Sequence, residues 1–150
     1  EYGIGNIKRK QGKLAEAAQH YRKAIAIDPT YLNAYNNLGA VYLEMNDWQQ
    51  AVETLQKSID LRPDFVESYY NLAIAYQQLG QTDKAEPLLR KTIELNPMDG
   101  DALATLAIIL YGRREIDAAA GTLKQALSID PSNPVGISLL MRMKDDGFVR

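Results

Sequence analysis

Apolar residues recur along this chain at helical spacing, and the pattern itself repeats. In Tyr35-x-x-Leu38-Gly39-x-x-Tyr42 the marked residues stand three, four and seven positions after the first, which places all of them on one helical face. The same face returns as Tyr69, Leu72, Ala73 and Tyr76, then as Leu103, Leu106, Ala107 and Leu110. A second apolar face runs downstream of each, and once more ahead of the first: Ala17, Tyr21 and Ile25; Ala51, Leu55 and Ile59; Ala85, Leu89 and Ile93; Ala119, Leu123 and Leu127. Pro29, Pro63, Pro97 and Pro131 close the units at a constant spacing of 34 residues. The pattern predicts two helices and a proline turn per unit, with a partial unit at 1–31 and full ones at 32–65, 66–99 and 100–133. A further helix at about 135–145 and a short tail follow.

Each recurring position has a mechanical reason. Small residues such as Gly39 and Ala51 let two antiparallel helices approach closely, and the large residues beside them fill the space. One helix pair cannot bury its apolar face alone, whereas stacked pairs can. The predicted fold is therefore all-α, a right-handed α-solenoid of antiparallel helix pairs ending in a capping helix. Gly12, Asn46 and Gly80 fall between the helices of a pair, where a left-handed backbone is useful. Pro87 lies inside a second helix, where a mild solvent-facing kink is expected, and Gly121 marks the corresponding site one unit on.

These residues resemble the tetratricopeptide repeat, whose pattern is an aromatic, Leu-Gly and Tyr on a first helix, Ala and a large apolar residue on a second, and Pro at the turn. The likeness covers nearly the whole chain. It departs at the ends: the opening unit reads Glu1-x-x-Ile4-Gly5-x-x-Lys8, and the last helix has Met141 at the small position and Lys144 at the tyrosine position. The resemblance implies that the first helix of each pair lines an inner groove.

Asparagine is a mediocre helix former, yet Asn33, Asn36 and Asn37 lie within one helix. With Tyr35 at 0° and 100° per residue, Asn37 falls at about 200°, Asn33 at about 160°, Glu44 at about 180° and Ala40 at about 140°, all away from the packed face. The equivalent residues are Glu67, Asn71, Ile74 and Gln78 in the next unit, and Asp101, Thr105 and Ile108 in the one after. Two rows result: Asn37, Asn71 and Thr105, and Ala40, Ile74 and Ile108 flanked by Tyr70 and Tyr111. A primary amide offers a donor and an acceptor together, matching a peptide unit. The rows resemble the asparagine ladder of O-linked N-acetylglucosamine transferase repeat domains, which implies an extended peptide held by Asn37 and Asn71; Thr105 has no amide. A merely polar inner face, with Ile74 and Ile108 packed between first helices, is the alternative these residues leave open. Compared with chaperone-binding tetratricopeptide domains, Tyr2, Glu67 and Asn71 stand where that family's carboxylate clamp has cations, so no clamp is expected.

Charge and composition remove other functions. A formal net charge of -2, with both signs interspersed, gives no footprint for nucleic acid or an anionic membrane. No apolar run reaches membrane-spanning length. The absence of cysteine and the single histidine, His20, argue against a metal site and against any cofactor. No acidic partner is expected near His20. Glu44, Glu67 and Asp101 read as an acidic rim selecting basic ligands, and no residue set suggests an enzyme. Trp48 is expected in core or edge packing.

The sequence therefore reads as a protein-protein interaction scaffold binding an extended or helical partner segment. The alternatives are a self-assembly module stacking through repeat edges and a substrate-recruiting arm of a larger enzyme such as a glycosyltransferase. Tyr2, Ile4 and Ile7, on an opening stretch that reads as the inside of a unit, predict weak self-association through that edge. The compartment stays open, with the cytoplasm favoured.

Overall fold

The computed structural model describes residues 1–149, and among these it contains nine helices and no strand. They are α1 (Tyr2–Lys10), α2 (Leu14–Ile27), α3 (Leu32–Glu44), α4 (Trp48–Leu61), α5 (Val66–Gln78), α6 (Thr82–Leu95), α7 (Gly100–Gly112), α8 (Ile116–Ile129) and α9 (Pro134–Asp145). Two compact units divide the chain, the first ending at Ala85 and the second beginning at Glu86, so the boundary falls inside α6. The fold class is all-α, of the α-solenoid repeat type.

In the first unit α1 packs on α2 and α3 on α4; α2 meets α3, α4 meets α5, and α3 also touches α5. Glycine sets the closeness of the helix pairs. A Cβ on Gly39 would lie 2.4 Å from Leu55 Cγ, and one on Gly5 would lie 2.6 Å from Tyr21 Cε1. Leu55 and Tyr21 are both 0% exposed, so each large side chain occupies the notch its glycine leaves open. Between α4 and α5 a buried hydroxyl pair, Ser68 Oγ to Ser58 Oγ at 2.8 Å, satisfies two polar groups inside the apolar core.

The second unit repeats this arrangement. Leu103, Ala104 and Ala126 form a core on which Ile93, Ile129 and Val135 pack. Helix α9 begins with Pro134 at its first position and with Asn133 Oδ1 accepting from Gly136 N at 2.8 Å. Gly136 lets it approach Leu127. Met143 is buried, whereas Met141, at the small-residue position, is exposed.

The connections follow two rules. Within a pair, the second residue after the first helix adopts a left-handed backbone, and the amide of its successor bonds back to the last turn: Lys13 N to Lys8 O, Asp47 N to Tyr42 O, Gln81 N to Tyr76 O and Glu115 N to Leu110 O, at 2.8 to 3.0 Å. Gly12, Asn46 and Gly80 take this role as expected, and Arg114, at φ +65°, is an addition that no local signal announced. Between pairs, Asp28, Arg62 and Asp130 are extended, as a residue before proline must be. Asp28 and Asp130 then accept the amides of Thr30 and Ser132 at 2.9 Å.

Three single-residue expectations turn out differently or in more detail. His20 does have an acidic neighbour: its Nδ1 lies 2.7 Å from Glu1 Oε2, because the start of α1 runs beside α2, and this contact holds the Glu1 carboxyl below its usual range. Trp48 is half-buried at the start of α4, and Pro87 is exposed within α6.

Candidate functional site

The asparagines of the first unit are tied to one another. Asn37 Nδ2 donates to Tyr2 OH at 2.9 Å and to Asn6 Oδ1 at 3.0 Å, joining α3 to α1. Tyr21 OH, from α2, donates to the same Asn6 oxygen at 2.7 Å. Asn71 Nδ2, on α5, donates to Asn36 Oδ1 on α3 at 3.0 Å. Burial of its ring raises the Tyr21 phenol above its ordinary pKa, which keeps it a donor at all physiological pH.

A helical angle alone placed Asn37 and Asn71 outward with partners arriving from a ligand; the structure supplies partners from the preceding first helix. Both residues are half-buried, as are Asn36, Ala40, Tyr70 and Ile74. Asn33, Glu67 and Gln78 are exposed. Asn33 sits apart from the amide row, in a shallow recess with Asp28, Tyr31, Arg62 and Phe65.

The acidic rim is partly neutralised. Glu44 receives Arg9 Nε at 2.8 Å and Arg9 Nη2 at 2.5 Å, a two-pronged pair between α1 and α3. In the second unit Asp101 accepts from Asn133 Nδ2 at 2.6 Å.

Thr105 and Tyr111 are not open to a visitor in the way their helical angles implied. Thr105 is 3% exposed, because α7 is apolar around nearly its whole circumference and Ala102 to Ala107 are buried together. Tyr111 is 7% exposed; its hydroxyl donates to Asp146, its ring lies edge-on to Phe148, and the Arg142 guanidinium stands 5.5 Å from its centroid. The bond to Asp146, with burial behind it, raises the Tyr111 phenol above its ordinary pKa. Ile108 remains half-buried.

Tyr2, Asn6 and Arg9 belong to this surface and were missed. A signal for some of it existed. Tyr2 with Asn37, Arg9 with Glu44, Asn36 with Asn71, and Tyr111 with Asp146 are each separated by 35 residues, one repeat plus one. One extra residue turns a side chain by about 100°, from the face shared by all repeats toward the next first helix.

Residues 2–135 match the family model described as the cilia and flagella-associated protein 70 C-terminal domain. A 53-residue segment, 35% of the chain, is 40% identical to stress-induced-phosphoprotein 1 of Caenorhabditis elegans and spans 17% of that protein's length. Among solved structures, the crystal structure of MamA is similar with a TM-score of 0.85 and 27% identity, over 97% of this chain and 85% of that one. A second, YrrB, described as a TPR protein with an unusual peptide-binding site, has a TM-score of 0.77 and 23% identity over 90% of this chain and 70% of that one.

Proposed function

The chain belongs to the family of the cilia and flagella-associated protein 70 C-terminal domain, of tetratricopeptide-repeat type, and from that premise we propose that it is a protein-interaction scaffold whose first-helix face binds an extended segment of a partner. No catalytic family is indicated by the family or the relatives named above. The observation that carries the proposal is the set Asn36, Asn37 and Asn71, polar, half-buried and each held by a hydrogen bond to a neighbouring first helix. Groups already fixed by neighbours lose little freedom when a peptide docks, so their remaining hydrogen-bonding capacity is available at low entropic cost. YrrB, described as having an unusual peptide-binding site, supports a peptide role for this fold.

The test is an array of random-sequence peptides probed with the wild-type chain and with Asn37→Ala/Asn71→Ala. Capture by the wild type and a loss of about 0.5 to 1.5 kcal/mol of binding per net hydrogen bond in the variant are expected. Because the same amides bond within the chain, the variant is also expected to melt lower; Asn6→Ala, which removes one of the two internal acceptors of Asn37 and the acceptor of Tyr21 but leaves Asn37 in place, separates the two effects. Equal capture by wild type and double variant removes the amide row from the proposal.

A second reading rests on α1, where Ile4 and Ile7 are 43% and 55% exposed. It holds that copies of this chain associate weakly through that edge. Sedimentation across concentrations is expected to show a mass that rises with concentration and stays constant in Ile4→Glu/Ile7→Glu. A concentration-independent monomer discards it.

A further inference from the structure

At the end of α7 the chain makes an uneconomical choice of residue. The left-handed position of the turn is Gly12, Asn46 or Gly80 elsewhere, and Gly147 after α9, but here it is Arg114 at φ +65°. A β-carbon is disfavoured in that region, so the arginine stands there against its backbone preference. Its neighbour Arg113 ion-pairs with Glu86. Arg114 instead lines a recess of about 330 Å³ within the second unit, together with Ile108, Tyr111, Leu139, Arg142 and Asp146.

The recess has a mixed chemistry. Its apolar side is the half-buried Ile108, the buried Leu139 and the Tyr111 ring. Two of its three charged residues are cations, in a chain whose formal net charge is -2. The lone carboxylate, Asp146, already accepts the Tyr111 hydroxyl. Both arginines are exposed, and the Arg142 guanidinium is steered by the Tyr111 ring beneath it.

We infer that this recess takes an acidic side chain of the partner, a glutamate or aspartate between the Arg114 and Arg142 guanidinia, with a large apolar neighbour against Ile108 and Leu139. The volume lies at the small end of ligand sites, about 300 Å³ and upward, which suits one or two side chains. The inference rests on the reading of the first-helix face as a peptide surface, and it adds the charge of the peptide.

Fluorescence anisotropy of the whole chain with three labelled peptides, blocked at both ends, tests it: alternating glutamate and leucine, glutamine and leucine, and lysine and leucine. The glutamate peptide should bind most tightly, the lysine peptide least, with the preference shrinking as salt is raised. Arg114→Gly and Arg142→Gln should each weaken the glutamate peptide about tenfold and leave the glutamine peptide unchanged. Arg114→Gly should melt no lower than the parent, since glycine suits the turn, so its loss of binding is not a loss of fold. If all peptides bind alike and neither substitution matters, the inference is overturned while the peptide surface stands. If none binds, both fall. Binding that inorganic phosphate abolishes while acetate does not overturns the acidic side chain as the occupant.

Discussion

Truncating Tyr21 to alanine is expected to lower the stability of the first unit by about 3 to 5 kcal/mol, the range for deleting a buried aromatic ring. Tyr21 is 0% exposed, its ring fills the notch at Gly5 and lies 5.8 Å from the Tyr2 ring, and its hydroxyl holds Asn6. Removing it leaves a cavity between α1 and α2 and loosens the acceptor that Asn37 uses. Tyr21→Phe separates the two contributions, because it keeps the ring and deletes only the hydroxyl, at about 1 kcal/mol. Urea denaturation followed by circular dichroism measures both. A Tyr21→Ala chain within about 1 kcal/mol of the parent would mean that the ring is not a packing centre of this unit.

Leu55→Ala is expected to cost about 2 to 5 kcal/mol, and its partner site gives the number an internal check. Leu55 is 0% exposed and sits where a Cβ on Gly39 would come within 2.4 Å. Gly39→Ala alone gains up to about 1 kcal/mol of helix propensity but overpacks the crossing, for a net loss of about 1 to 3 kcal/mol. In the double variant the added methyl enters the space Leu55 vacates, so the combined loss should be smaller than the sum. Strict additivity would show that the two residues do not compete for one volume.

Gly39 and Leu55 also show why the fold was legible. Small and large residues alternate across each helix pair at positions that recur every 34 residues, and such a pattern has few solutions other than paired helices stacked in series. The turn at Arg114 was not legible, because the cue for a left-handed backbone is glycine or asparagine and the arginine is held there against that preference. The surface was legible only in direction. An angle on one helix wheel says which way Asn37 leaves α3, but not that Tyr2 and Asn6 of α1 wait there. Thr105 failed for a related reason: α7 is buried so nearly all round that even on its outward sector, where Asp101 and Gly112 stay exposed, Thr105 is enclosed.

The bonds of Asn37 carry one consequence for what the surface can accept. Both hydrogens of its amide are spent, one on Tyr2 and one on Asn6, which leaves Oδ1 as the group with capacity to spare. On the proposed reading, Asn37 thus questions a visiting chain only about its N–H groups and is indifferent to its carbonyls. Every amino acid but proline answers alike through its backbone, so the chain would tolerate almost any side chain in that register while turning away an imino acid, a grammar of main chain rather than of sequence.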